Sequence, residues 1–344
     1  MHRVSPGNLY FAWDGRKRNA ITRLMWHILD RGRAANQSAV EALLDRVRPD
    51  VVHTNNLTGF GAGLIPAIRE RSIPVVHTLR DFSLMCSRAT LFRNGEDCNP
   101  RCVECRFLTA PRMAATQGVA QVVGNSEFMI ERHRDHGLFT DVPCRTIFNA
   151  VPGIEKWPPA RPEPKRGEPI RFGFMGMIKP EKGIELLLGS LDALPRRDWN
   201  LAIAGVGGED YCSALQARFA HLPVEWLGFV RTEQFYPMID TLVIPSIWPE
   251  PMPRTLIEAA AARVPAIVSD AGGSAEVAAM FPSARVYSSQ DVAALTAELD
   301  AACSAGPIAF NPPAPEVLET FTPARLAANY EEVFREASQE RAQP

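Results

Sequence analysis

Several things are scarce in this 344-residue chain, and each scarcity excludes something. No run of about 18 apolar residues occurs, so no membrane-spanning helix is expected. The opening residues, MHRVSPGNLYFAWDGRKRN, lack an apolar core, so a secretory signal is not expected. Neither sign of charge dominates: 37 Lys+Arg face 39 Asp+Glu, for a net charge of -2. That argues against a protein held on nucleic acid by bulk charge. Cysteine numbers seven, an odd and unevenly spread set, which disfavours a full disulfide framework and fits reduced thiols in a cytoplasm. No repeat, low-complexity tract or Gly-x-Gly-x-x-Gly turn is present, the last weighing against a dehydrogenase.

What is present is an alternation of short apolar runs with amphipathic stretches, the pattern of α/β layering. In the first half, strands are expected at 50–53, 73–79, 121–125 and 144–149, with helical stretches at 37–47 and 63–71. Another helix should open at Ser126, a good N-cap. The first forty-odd residues read as polar and irregular, so the opening strand and helix of the first domain are expected to be missing. A proline-rich linker, 157–169, then denies both helix and central strand. A second series follows, with strands at 170–175, 199–204, 224–227, 241–245, 266–269 and 284–287. Helices are expected between them at 183–194, 211–220, 232–238, 253–262 and 274–280. Two Rossmann-like sheets imply a cleft, with ligands beyond the carboxyl ends of the strands.

The richest constellation is Pro245-Ser-Ile-Trp-Pro-Glu250-Pro-Met-Pro-Arg-Thr-Leu-Ile-Glu258-Ala259. A strand ends, a loop carries Glu250, and a helix begins near Pro253. Free N–H groups at that helix start suit an anion. Carboxylates accept paired hydrogen bonds from vicinal hydroxyls, so a sugar or ribose is a natural partner for Glu250 and Glu258. The plain alternative is an acid near a helix dipole and an exposed helical Glu.

This segment resembles the Glu-x7-Glu motif of GT-B glycosyltransferases of family 4 (glycosyltransferase group 1). Other segments resemble the same family in order. Gly173-Phe-Met-Gly176 with Lys179-Pro-Glu-Lys182-Gly183 is similar to its donor-phosphate loop, and Ala204-Gly-Val-Gly207 to its small-residue turn. Trp226-Leu-Gly228-Phe-Val230 is similar to its nucleoside-base loop, and Ser269 to Glu276 to its late Gly-Gly-x-x-Glu turn. The resemblance spans about residues 48–335. It implies two Rossmann-like domains: an acceptor-side domain at 1–156 with its opening portion missing, and a nucleotide-sugar-binding domain at 170–322. A last helix at 323–344 either crosses back to the first domain or packs on its own; its apolar stripe is Leu326, Tyr330, Val333 and Phe334.

The resemblance also implies roles. Glu258 would hold ribose hydroxyls, Glu250 the donor sugar, and Lys182 the leaving diphosphate, though a lone lysine before a helix is equally a solvated charge. Gly176, Lys179, Gly228 and the backbone N–H groups of Met252, Arg254 and Thr255 complete the donor set. Met177 stands where the family carries Arg, and Met252-Pro253 replaces Phe-Gly, removing one N–H donor. On the acceptor side, Arg48-Pro-Asp-Val-Val-His53-Thr-Asn55-Asn56 and His77-Thr-Leu-Arg80-Asp81-Phe82 resemble family strand ends. Arg80 stays protonated and is no base, which leaves Asp81 to position a hydroxyl. His53, Asn55 and Ser126 join this set; His53 reads equally well as a satisfied histidine at a strand end.

The implied activity is retaining transfer of a hexose-type unit from a UDP- or GDP-linked donor to a glycan or lipid-linked acceptor in envelope polysaccharide assembly. It needs no cofactor, and it would occur in the cytoplasm or at the inner face of the membrane, with a peripheral membrane contact. The alternatives are a truncated, non-catalytic nucleotide-sugar-binding remnant, and a GT-B epimerase or phosphorylase. Separately, Cys86, Cys98, Cys102 and Cys105 fall within twenty residues with Arg88, Arg93, Asn94 and Gly95 between them, suggesting a hairpin. Such spacing fits a structural zinc held by four thiolates, with ordinary thiols or a labile disulfide as the alternatives.

Overall fold

The computed structural model describes residues 4–340 apart from 5–6, 12–13, 15, 17, 33–36, 155–167, 197 and 306–308. The expected linker therefore lies, up to residue 167, outside the described residues. The chain forms two compact units.

The first unit opens with α1 (Ala20–Asp30) and α2 (Gln37–Val47), then β1 (Val52–Thr54), α3 (Leu64–Arg69) and β2 (Val75–Leu79). A hairpin of β3 (Phe92–Arg93) and β4 (Glu96–Asp97) leads to α4 (Val103–Ala115). It is followed by β5 (Gln121–Gly124), α5 (Glu127–Arg134) and β6 (Cys144–Thr146). The four longer-range strands form one parallel sheet in the order β1-β2-β5-β6. β2 and β5 are buried along their whole length, as expected of central strands in a parallel sheet. α5 starts as expected: the Ser126 hydroxyl accepts from the Met129 N–H at 3.3 Å.

Two helices depart from the sequence expectation. Residues 20–30 are not irregular but an 11-residue helix, capped by Asn19, whose side chain accepts from Thr22 N at 2.8 Å. The apolar residues Ile21, Leu24, Met25 and Ile28 were at helical spacing, yet all four are exposed. Two residues anchor α1: Trp26, 3 % exposed, and Asp30, 1 % exposed, which pairs with Arg112 of α4 at 2.6 Å and accepts from Gly59 N at 2.8 Å. α4 itself was unforeseen because Pro111 lies inside it, where proline removes a helical donor.

The second unit holds β7 (Ile170–Met175), α6 (Ile184–Asp192), β8 (Trp199–Ala204), α7 (Glu209–Arg218) and β9 (Val224–Gly228). Next come α8 (Thr232–Phe235), β10 (Thr241–Ile244), α9 (Arg254–Ala261), β11 (Ala266–Ser269), α10 (Ser274–Ala278) and β12 (Ala284–Tyr287). α11 (Val292–Ala305) and α12 (Pro315–Glu319) close the series. Six parallel strands run β12-β11-β10-β7-β8-β9. That is the doubly wound order, and its reversal point lies between β7 and β10. The period-2 alternation of strand side chains divides the core: Phe172, Phe174, Ile203 and Val243 pack on one face, Leu242, Ile244 and Val268 on the other.

The last helix, α13 (Pro323–Glu340), contributes to the first unit from Ala327 on. Tyr330 and Val333 are buried, and the Tyr330 hydroxyl is 2.9 Å from Thr78 Oγ1 on β2. Arg145 of β6 pairs with Glu332 and Glu336 at 2.9 and 3.0 Å. No helix among the described residues is long and apolar enough to cross a membrane.

Candidate functional site

Because the strand order reverses between β7 and β10, the loops that follow these two strands meet beyond their carboxyl ends. The first runs from Gly176 to Gly183, the second from Pro245 to Pro253. Gly183 has φ +71°, and a Cβ there would lie 1.7 Å from the Pro245 carbonyl oxygen. Only glycine permits both the left-handed turn and this approach. Ile247 N donates to Glu181 O at 3.1 Å, which fixes the two loops in register.

On that frame, Lys182 Nζ donates to Glu250 Oε2 at 2.6 Å. Ser246 Oγ and Trp248 Nε1 donate to the same oxygen at 3.2 and 2.9 Å. The ammonium also stands 5.1 Å from the centre of the Trp248 ring. Three donors thus orient a carboxylate that is 9 % exposed. The backbone of Glu250 is clamped from behind: Gly273 N donates to its carbonyl at 2.7 Å, and a Cβ on Gly272 would come within 2.5 Å of its main chain.

Beside this pair is a pocket of about 650 Å³. Its walls come from the turns after β7 (Gly176, Met177) and β8 (Gly205, Val206), from Phe229 to Glu233, and from Arg254, Thr255 and Glu258 of α9. Gly205 N donates to Gly228 O at 2.7 Å and Gly176 N to Ala204 O at 3.0 Å, so the three turns stack. The N–H groups of Arg254 and Thr255 lie in the first turn of α9 and have no intrahelical acceptor. They and the helix dipole favour an anion at this end.

Glu258 is 4 % exposed and projects from the same face of α9, one turn after Arg254. Arg254 Nη2 donates to its Oε1 at 2.9 Å, and the buried Tyr236 hydroxyl lies 3.3 Å from its Oε2. Burial pushes the Glu258 carboxyl above its ordinary range, with Arg254 and Tyr236 opposing the shift. Burial and the adjacent Glu258 charge push the Tyr236 hydroxyl well up in turn.

Of the donor-side residues expected from sequence, Gly176, Arg254, Thr255 and Glu258 line this pocket, and Lys182 and Glu250 form the adjoining pair. Lys179 is exposed, its nearest acidic neighbour Glu181 at 3.9 Å. The Met252 side chain is buried in the core, so only its backbone is available as a donor. Sequence reading missed Arg231, Thr232, Glu233 and Tyr236. The first three follow directly on the Gly228 turn, and that adjacency was the available signal.

In the first unit, Asp81 accepts from Asn56 Nδ2 and from Ser83 N, both at 2.7 Å. Arg80 and Asn55 are exposed. His53 Nε2 is 2.8 Å from Thr78 Oγ1, and its ring packs 5.1 and 5.3 Å from those of Tyr330 and Phe334. It is thus engaged with the last helix. Ser126 is fully buried at its cap. The four clustered cysteines carry free thiols, with Cys86 and Cys105 sulfurs 3.8 Å apart. Among the described residues no group of three or more His, Cys, Asp or Glu side chains is arranged to hold a metal ion.

Comparison with known proteins adds relatives to this geometry. The family model "Glycosyl transferases group 1" matches residues 156–308, and "Glycosyltransferase Family 4" matches residues 9–152. An uncharacterized 42.6 kDa protein in the cps region of Klebsiella pneumoniae is 26% identical over 286 residues, 83% of this chain and 74% of that protein. An uncharacterized glycosyltransferase of Methanocaldococcus jannaschii is 37% identical over 113 residues, 30% of this chain and 28% of its own. Among solved structures, sucrose-phosphate synthase from Thermosynechococcus elongatus superposes with a TM-score of 0.68 at 17% identity, covering 87% of this chain and 76% of that one. Anabaena HepE in complex with UDP and glucose gives 0.64 at 15% identity, covering 88% and 81%. The lipopolysaccharide outer core galactosyltransferase WaaB gives 0.62 at 17% identity, covering 92% and 81%. With the two parallel sheets, the second doubly wound, and the two family models that between them match residues 9–152 and 156–308, this chain is a glycosyltransferase of family 4 type with the GT-B fold.

Proposed function

We propose that this enzyme transfers a sugar, with retention at the anomeric carbon, from a nucleoside diphosphate donor to a hydroxyl of a glycan or lipid-linked acceptor. The single observation that carries the donor assignment is Glu258: a buried carboxylate at the first turns of α9, facing a pocket crossed by glycine turns. A carboxylate there accepts two vicinal ribose hydroxyls, while the helix N-terminus beside it takes a phosphate. The complexes of HepE with UDP and with UDP-glucose support a uridine diphosphate donor, with guanosine diphosphate as the competitor to test.

In this reading the leaving diphosphate gains negative charge as the glycosidic bond breaks. Lys182 and the N–H groups of Arg254 and Thr255 are preformed donors for that charge, and their stabilisation grows toward the transition state. Glu250, oriented by three donors, holds a hydroxyl of the donor sugar. Asp81, held by Asn56 and Ser83, is assigned to the acceptor hydroxyl. The cps-region relative supports a place in polysaccharide biosynthesis.

Calorimetric titration with UDP and GDP tests the donor assignment. One nucleotide should bind, and Glu258→Ala should abolish most of that affinity. Equal, weak binding of both nucleotides, unchanged in Glu258→Ala, would remove the basis of the assignment. Product NMR with the preferred donor then reads the anomeric outcome.

A further inference from the structure

The segment between Leu91 and Cys105 poses a physical problem. It leaves the sheet, makes the β3–β4 hairpin over Asn94 and Gly95, and returns into α4. Both turn residues have positive φ, +54° and +83°, as a tight hairpin turn requires. Yet no residue from 92 to 104 is buried. A two-stranded hairpin without a hydrophobic face is marginal in water, and excursions of this kind are held by a staple, a disulfide or a metal.

Four cysteines flank this excursion along the chain. Cys86 is in the loop that precedes it, Cys98 follows β4, Cys102 caps α4 and Cys105 lies in its first turn. Cys98 N donates to Leu91 O at 2.7 Å, which joins the two ends of the hairpin. Cys86 and Cys105 are both buried, with their sulfurs 3.8 Å apart. A zinc–thiolate bond of about 2.3 Å at the tetrahedral angle places two ligand sulfurs about 3.8 Å from each other. The Cys86 sulfur accepts the Arg88 N–H at 3.4 Å, and the Ser87 hydroxyl lies 3.6 Å from the Cys105 sulfur. Donors of that kind stabilise thiolates.

We propose that these residues form a structural zinc site, with Cys86 and Cys105 as a preformed edge of the tetrahedron and Cys98 and Cys102 as the ligands that close on the cation. The loop, hairpin and helix start would then be stapled at one point. The staple also reaches the segment that carries Asp81: Cys86 N donates to Phe82 O at 2.8 Å, and Arg101 Nη1 donates to Met85 O at 3.3 Å. Zinc here would be structural and separate from the glycosyl-transfer groups, so its test does not depend on the donor assignment.

The test is metal analysis of the full-length chain purified under reducing conditions without chelator. About one zinc per chain is expected, with a strong chelator lowering the melting temperature as the zinc leaves. Replacement by Co(II) should give a thiolate-to-cobalt charge-transfer band of four-thiolate intensity. Cys98→Ser and Cys102→Ser, which change exposed-side ligands, should each reduce zinc retention tenfold or more against a competing chelator. Metal-free protein whose melting temperature ignores both zinc and chelator would overturn the proposal. So would a two-thiolate cobalt spectrum, a Cys86–Cys105 disulfide found under these conditions, or zinc retained in the Cys86→Ser/Cys105→Ser variant.

Discussion

Lys182 Nζ stands 2.6 Å from Glu250 Oε2, although 68 residues separate them. Each is therefore the positioning partner of the other, and their substitutions must be non-additive. Lys182→Ala should lower kcat about 10²-fold, the scale for removing one preorganised donor to a developing anion. Glu250→Gln should cost less, because the Ser246 and Trp248 donors still reach the amide oxygen. The double variant should fall well short of the product of the two effects. Steady-state kinetics on the four proteins measure the coupling, and strict multiplicativity would show the pair to be uncoupled.

Glu258 gives a pH dependence with a defined sign. Burial holds its carboxyl above the ordinary 4.5. In the ribose-binding role proposed for it, the charged form accepts two hydroxyls, so nucleotide affinity should fall as pH drops through that raised value. Glu258→Gln should flatten this dependence and weaken binding by about 1.5–3 kcal/mol, the worth of hydrogen bonds to a charged group. Titrations across mildly acidic pH read both effects; a pH-dependent affinity that persists in the Gln variant would place the titrating group elsewhere.

The Asp30–Arg112 pair is a matter of stability rather than catalysis. Both side chains are almost fully buried, and Arg112 also donates to Ser83 O at 2.8 Å. Arg112→Leu should destabilise the chain by about 3–5 kcal/mol, because it strands a buried carboxylate. Replacing both residues by apolar ones should recover much of that loss. Denaturant unfolding compares them, and a loss below about 1 kcal/mol for the single variant would mean that α1 docks by other means.

His77 and His133 predict acid lability. Burial lowers them to about 3 and about 4, against 6.5 in an unfolded chain. The folded protein thus binds fewer protons than the unfolded one. Their stabilisation is fully present above pH 6.5 and drains as pH falls toward 4 and then 3, at up to about 1.4 kcal/mol per pH unit for each group. His133→Phe, which keeps the stacking on Phe82 at 5.9 Å, should reduce that slope in denaturant midpoints measured against pH.

Legibility from sequence varied in a physically intelligible way. The strands of both sheets could be read because parallel strands are continuous apolar runs, as in Thr241 to Ile244 or Ala266 to Ser269. The Ser126 cap and the Asn94–Gly95 turn were also readable, since each depends on residues close in the chain. α1 was not, because its aliphatic residues Ile21, Leu24, Met25 and Ile28 face solvent and it is anchored through Trp26 and Asp30. α4 was concealed by Pro111, which breaks the helical signal inside it. Tyr236, which carries one hydrogen-bond partner of Glu258, gave no local signal, since a buried aromatic in a short helix reads as core.

By itself, then, the sequence determined the alternation of strands and helices and the residue types at the donor loops. Local backbone preference and side-chain period act over a few residues, and both are written along the chain. The order in which the strands pair was decided only by the tertiary structure. Setting β7 beside β10 joins loops almost seventy residues apart, turns Lys182 and Glu250 into one ion pair, and buries Glu258 where a helix tip meets two glycine turns.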